Sequence, residues 1–346
     1  MAKADILLVS SPRFVDHRTP DGHPERPARA EVMARVAARW DAGGGRVAGP
    51  EPVTTEALAR VHDRGYLEDV AATAGRRARL DPDTWTSPES EEVARLAAGA
   101  AIAAVDHALD HDAPGLAFVR PPGHHAEQAR AMGFCLYNNA AVAAAHALAR
   151  GSGRVAVVDY DVHHGNGIQW IFYDDPRVLY VSTHQYPFYP GTGAADDVGR
   201  GPGAGATVNV PLAAGAGDAD LDLVFREVVL PILGEFGPDL VVLSAGFDAH
   251  ADDPLGGMRL STDGYRRLTR RLRALTCDRC AGRLAVVTEG GYDLAALEAC
   301  LDATLGVCAE PPASSIPAAA GSTAVAAAAL RPVRRAQEPF WGTGRR

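Results

Sequence analysis

Seven short apolar runs recur along the chain, with alanine-rich stretches between them, and this alternation is what most constrains the fold. The runs are Ile6 to Val9, Gly115 to Val119, Val155 to Val158, Val178 to Ser182, Thr207 to Val210, Leu240 to Leu243 and Leu284 to Val287. Continuous apolar runs this short suit strands covered on both faces. Helical patterns fall between them, over Glu89 to Leu109, Asn138 to Arg150, Leu221 to Phe236 and Thr262 to Leu275. Strand–helix alternation predicts an α/β fold, a mostly parallel sheet sandwiched by helices. Ligands in such sheets bind at the carboxyl ends of strands. Five of the runs lead into polar segments there: Pro121 to His125, Asp159 to His164, His184, Ala245 to His250 and Glu289 to Tyr292. Chance would scatter His, Asp, Glu and Gly more evenly.

Composition removes several classes of function. The charge sum of −9 excludes a global basic field for nucleic acid. No apolar run approaches the roughly 18 residues of a membrane span. Met1 to Asp5 lacks the features of a secretory signal, so a cytoplasmic protein is expected. Lys3 is the sole lysine, which argues against a Schiff-base lysine and a lysine-bearing phosphate loop. Cys277 and Cys280 form one C-x-x-C pair, too little for a four-sulfur zinc site. Arg266, Arg267, Arg270 and Arg271 read as a solvated helix face. No internal repeat or long linker interrupts the body. From about Pro311 to Arg346 the chain is rich in Ala, Pro, Ser and Arg, and a loosely attached tail with one helix is expected, with Phe340 and Trp341 docking back.

The densest chemistry lies in Asp159 to Gly167. Alternate side chains on an extended strand end share a face, so Asp159, Asp161 and His163 can point together. An imidazole nitrogen with carboxylate oxygens suits zinc or a similar divalent ion. A third ligand must come from elsewhere, and Asp248 sits at another strand end. In Arg120 to Ala126, two prolines and a glycine fix the backbone ahead of His124 and His125. Such a pair suits general base and acid work beside a metal. Tyr292, after Gly290 and Gly291, places a phenol on a turn where it can meet a developing oxyanion. His164, next to His163, faces the other way; His250 is placed at the pocket rim. His17, His23, His62, His107, His111 and His146 read as structural or exposed.

Taken together, Arg120 to Ala126, Gly133 to Cys135, Asp159 to Gly167, Ser182 to His184, Pro190 to Gly193, Ser244 to Gly257 and Glu289 to Leu294 resemble the zinc-dependent histone deacetylase family, in family order. His23 to Pro27 and Glu289-Gly-Gly-Tyr292 look like its class II and bacterial members. The resemblance implies an arginase–deacetylase fold: one three-layer domain over residues 1–310 with an eight-stranded, mostly parallel sheet, followed by the tail 311–346. By position, Asp161, His163 and Asp248 match the zinc ligands, and His124 and His125 the tandem histidines. Tyr292 matches the carbonyl-polarising tyrosine. Asp159 and Asn166 match the residues behind the two histidines. Asp159, Asp161, His163, Ser182 and Thr183 match a structural potassium site. Gly133, Phe134 and Tyr189 match the walls of an acyl-lysine tunnel, with Leu255 and Gly290 also expected to face substrate. Arg26 matches an arginine near an internal acetate-exit channel.

The implied reaction is removal of acetyl or other acyl groups from lysine side chains or similar primary amines by metal-activated water. Leu255 stands where polyamine specialists carry an acidic gatekeeper, so acetyl-lysine is expected over acetylpolyamines. An arginase-like binuclear hydrolase and a silent acyl-lysine binding module are the rivals. The first would need extra carboxylates where His124 and Tyr292 stand.

Overall fold

The computed structural model describes residues 5–342. The expectations for Met1 to Ala4 and for residues 343–346 lie outside it. The strands, in chain order, are β1 (Leu7–Val9), β2 (Arg46–Ala48), β3 (Ala78–Asp81), β4 (Thr84–Thr86), β5 (Gly115–Ala117), β6 (Val155–Asp159), β7 (Val178–Gln185), β8 (Thr207–Leu212), β9 (Leu240–Ala245) and β10 (Leu284–Thr288). Eight form one sheet in the order β2-β1-β5-β10-β9-β6-β7-β8, and β3 and β4 form a separate antiparallel hairpin. Every pairing in the large sheet is parallel.

Strand periodicity explains the three layers. Ala156 and Val158 face one core, which includes helices Pro27–Ala42, Thr262–Arg279 and Leu294–Ala309. Val155 and Val157 face the other, beneath helices Ser90–His111 and Asn139–Ala149. The seven expected strands are present. The eighth, β2, escapes the sequence pattern because it is a three-residue edge strand with no buried side chain.

The helix expected over Leu221 to Phe236 is divided. An α-helix over Asp218–Val224 passes through one π-turn, Phe225–Val229, into Leu230–Phe236. Pro231 lies at that junction and has no N–H to give to a regular ladder. The arginine face also needs correction. Arg271 is 8% exposed and its Nε donates to Asp222 at 2.6 Å.

The C-terminal helix, Ala324–Gln337, is held more closely than a loose tail. Ala326, Ala329, Leu330 and Val333 join the first core. Gln337 donates to the carbonyl of Thr207 at 2.9 Å, and the Trp341 indole to that of Gly205 at 2.8 Å. Phe340 is 37% exposed, whereas Trp341 is partly buried against the first core and makes the closer anchor. Among the described residues no helix is long and apolar enough to cross a membrane.

Candidate functional site

Four strands adjacent in the sheet, β5, β10, β9 and β6, end in the loops that carry the polar clusters. Neighbourhood in the sheet, not in the sequence, brings these loops together. Asp161 and His163 follow β6, and Asp248 follows β9. Their candidate ligand atoms all lie within 4.8 Å of one another. His163 Nδ1 is 3.0 Å from Asp161 Oδ1 and 3.2 Å from Asp248 Oδ2.

The remaining carboxylate oxygens are fixed by backbone donors. Val162 N–H donates to Asp248 Oδ1 at 2.8 Å, and Gly290 N–H to Asp161 Oδ2 at 2.9 Å. Glycine is required at position 290, because a Cβ there would lie 2.1 Å from Asp248 Oδ2. Two carboxylates converging on one imidazole nitrogen form a donor set that fits a zinc-like divalent ion, with room for further ligands. Electrostatics favour a cation here. Burial, then the Asp161 charge, push Asp248 up to about 7. Burial opposes ionisation of Asp161, but His124 and His163 hold it well below the usual carboxylate range.

The tandem histidines are tuned apart. His124 Nδ1 lies 3.1 Å from Asp159 Oδ2, which also accepts from the Tyr180 hydroxyl at 3.2 Å. Burial works against its charge, yet Asp161 and Asp159 raise it to about 10. Burial, followed by the charges of His124 and His163, drives His125 well below its ordinary value. His125 Nδ1 donates to Asn166 Oδ1 at 2.8 Å. Asn166 Nδ2 donates to Glu127 Oε1 at 2.7 Å, which fixes the orientation of the amide. Nε2 of His125 is left as the unprotonated nitrogen of a neutral ring.

Tyr292 follows β10 and is 7% exposed. Its N–H donates to Asp253 Oδ2 at 2.6 Å, and its ring meets Phe134 edge-on at 5.8 Å. Burial pushes the phenol well above its ordinary range.

Residues 23–308 match the family model described as the histone deacetylase domain. The chain belongs to the histone deacetylase family. It is 42% identical over 328 residues to Histone deacetylase 15 of Arabidopsis thaliana, across 92% of this chain. It spans only 59% of that protein's length. A "Probable deacetylase" of Archaeoglobus fulgidus is 38% identical over 291 residues, covering 83% of this chain and 81% of its own. The crystal structure of the HDA15 HD domain aligns with a TM-score of 0.91 at 38% identity, covering 98% of both chains.

In this deacetylase-family chain Gly133, Phe134 and Tyr189 pack directly on the site. Gly133 and Phe134 have φ of +55° and +70°. A Cβ on Gly133 would lie 2.3 Å from the His125 ring. The β3–β4 hairpin holds this turn: Asp83 Oδ1 accepts from Gly133 N–H and Thr84 Oγ1 from Phe134 N–H, both at 3.1 Å. Tyr189 stands edge-on to His125 at 5.1 Å. Phe188, which the sequence reading missed, stacks on His163 at 5.3 Å. Ser182 lies beside Asp159 in the β6–β7 register, and its Oγ is 2.9 Å from His184 Nδ1. Thr183 Oγ1 is buried without a hydrogen-bond partner. His164 is turned away from the ligands, towards Thr192 and Gln169. His250 lies beyond Asp248, where its Nδ1 accepts from Asp252 N–H at 3.2 Å.

One position is corrected. Arg26 is exposed at the start of helix Pro27–Ala42, whereas Arg29, on the next inward-facing turn, is fully buried. Arg29 Nε donates to the Gly291 carbonyl at 2.7 Å, and its Nη2 bonds the Glu289 carbonyl. Its guanidinium lies 5.0 Å from the Tyr292 ring centre. Buried Glu25 pairs with both Arg29 and Arg120, so one carboxylate serves two interior guanidinium groups.

Glu289 also went unassigned in the sequence reading. Its Oε2 accepts from Gly123 N–H at 2.6 Å and His124 N–H at 3.1 Å, and its Oε1 from Ser244 Oγ at 3.1 Å. The histidine turn is thereby tied to the tyrosine turn. Glu289→Ala would strand three buried donors, at a cost of about 1–3 kcal/mol for each that finds no new partner. Glu289→Gln, keeping the shape and an acceptor oxygen, should recover most of that stability. Denaturant unfolding checks this; an alanine variant as stable as the parent would refute the clamp.

Proposed function

We propose that this chain is a zinc-dependent amidohydrolase that removes acetyl or other acyl groups from lysine side chains or similar primary-amine amides. The observation that carries the reading is the convergence of Asp161, His163 and Asp248 beside a neutral, tautomer-fixed His125. Asp161, His163 and Asp248 would hold the ion. Bound there, zinc would supply Lewis acidity towards the acyl carbonyl and make water acidic enough to lose a proton near neutral pH.

The chain's own groups do the rest. His125 Nε2 accepts a proton from the attacking water and returns one to the leaving amine. Asp159 and Asp161 keep His124 charged beside it, where it offsets developing negative charge. The Tyr292 hydroxyl stays protonated and donates to the acyl oxygen as it becomes an oxyanion. Water adds to the carbonyl, the C–N bond breaks, and carboxylate and amine leave. Gly133, Phe134 and Tyr189 flank the extended amine arm, with Gly290 beneath it and Leu255 at the mouth. A potassium ion at Asp159, Asp161, His163, Ser182 and Thr183 belongs to the same reading. The register supports it by placing Asp159 and Ser182 side by side, with Asn166 and Asp159 supporting the two histidines. A cytoplasmic location completes the reading, with no nucleic-acid or membrane partner.

Acetyl-lysine is favoured over acetylpolyamines for a specific reason. Asp253, the acid nearest the expected gatekeeper position, is consumed by the N–H groups of Leu255, Tyr292 and Asp293. It is buried, with both lone pairs of Oδ2 and one of Oδ1 taken, so little is left for a cationic chain, and Leu255 offers nothing. The zinc-loaded protein should therefore turn over an acetyl-lysine peptide faster than N-acetylputrescine under matched conditions. The reverse order would overturn the preference. Failure to hydrolyse any acyl amine would leave the silent binding module in its place.

A further inference from the structure

A cleft of about 750 Å³ opens beside the mouth of the site, lined by Arg18, Arg26, Arg77, Asp21, Leu255 and Tyr292 among others. All three arginines are exposed, and none forms an ion pair with a described residue. Elsewhere on this surface arginines are matched: Arg13 with Glu92, Arg39 with Glu298, Arg200 with Asp174. Three cations against one carboxylate is a local excess in a chain whose net charge is −9.

The backbone adds to it. Arg26 is the N-cap of helix Pro27–Ala42, makes no capping hydrogen bond, and has no acid after it in the first turn. A helix N-terminus favours negative charge, so a cation there is on the wrong end of the dipole. Arg26 and the helix start therefore reinforce one positive potential aimed into the cleft. His23 is tied to its surroundings, with its Nε2 facing the Asp83 carbonyl and its Nδ1 the Glu25 backbone.

We propose that this cleft is a subsite for carboxylate side chains flanking the acylated lysine, so that the preferred substrates are acidic acyl-lysine peptides. The proposal rests on the hydrolase reading for its placement, because Leu255 and Tyr292 make the cleft continuous with the mouth where the amine arm enters. An extended peptide advances about 3.3 Å per residue, so a cleft of this size takes roughly two to three residues on one side of the lysine. Opposite charges then meet at a partly enclosed, salt-sensitive surface. A basic flank, or the free ammonium of an acetylated polyamine, meets repulsion from the same three residues.

The test uses fluorescent acetyl-lysine peptides identical except for flanks of glutamate, serine or lysine, with the whole 346-residue chain loaded with zinc. Binding is read by anisotropy and hydrolysis by kcat/KM, each at low and high salt. The glutamate peptide should be favoured over the lysine peptide by roughly tenfold at low salt, and the ratio should shrink as salt rises. In the triple variant Arg18→Gln, Arg26→Gln, Arg77→Gln the ratio should approach one. Arg77→Gln alone, outside any helix or strand, should lower it in part if the triple variant fails to fold. A native ratio of one or less, or a ratio that survives these substitutions, overturns the proposal. Charge-dependent binding without hydrolysis would uphold the cleft and sink the hydrolase reading. Hydrolysis without charge dependence would do the opposite.

Discussion

Tyr292→Phe should lower kcat by about 100- to 1,000-fold, the usual cost of one lost oxyanion donor, with zinc content unchanged. The size of this effect depends on the phenol acting in the reaction and not in the fold. The contacts that position Tyr292 do not use its hydroxyl. Asp253 binds its backbone N–H, Arg29 lies 5.0 Å from its ring centre, and Phe134 meets the ring edge-on at 5.8 Å. Gly291, at φ +120°, shapes the turn before it. Phenylalanine keeps every one of these. Thermal stability should stay close to the parent's, and KM should change far less than kcat, because the lost hydrogen bond strengthens only as charge develops. Steady-state kinetics with zinc measured in the same samples decide it. Near-native kcat in a fully loaded variant would remove Tyr292 from the chemistry.

The sequence carried the site further than it carried the framework around it. Asp161 and His163 were legible because a strand end alternates faces, and Asp248 and Tyr292 because parallel sheets collect ligands at carboxyl ends. The tandem histidines were marked by the prolines before them. Glu127 was not legible: its role is to hold the Asn166 amide, a contact between residues 39 apart that no local pattern signals. Arg26 and Arg29 stand three residues apart in one proline-rich stretch, and only the phase of the helix decides which faces inward. Arg271 looked solvated because its partner, Asp222, lies 49 residues away. Edge strand β2 is only three residues long and has no buried side chain, so it lacks the longer apolar run by which the other seven were found. Across these cases, local periodicity gave the elements, while buried polar pairing, which is long-range, gave the residues that were missed.

Removing the metal should reveal how much of the site is held by it. In the metal-free protein Asp161 and Asp248 are buried together, with His163 Nδ1 between them. Burial resists its charge, but Asp161 and Asp248 raise His163 to about 10, while Asp248 itself is pushed up to about 7. Without an ion the cluster would therefore carry a proton at neutral pH, which zinc must displace. Affinity should rise about tenfold per pH unit through the neutral range, and more steeply below about 7, where Asp248 also holds a proton. The sign is fixed: acid favours the metal-free form because the ligands bind protons there. A ligand present at about 1,000 times its Kd stabilises by about 4 kcal/mol, so in a chain of this length chelation should lower Tm by roughly 6 °C. Asp248→Asn separates the ligand role from the packing role. Its amide oxygen can still accept from Val162 N–H, and it relieves the repulsion with Asp161, so the fold should persist. It should bind zinc far more weakly, lose turnover, and show no further fall in Tm when chelator is added. Competition with a chromophoric chelator across pH, alongside calorimetry, measures both effects. Native zinc affinity in Asp248→Asn, or affinity that falls as pH rises towards 8, would mean that this cluster is not where the ion sits.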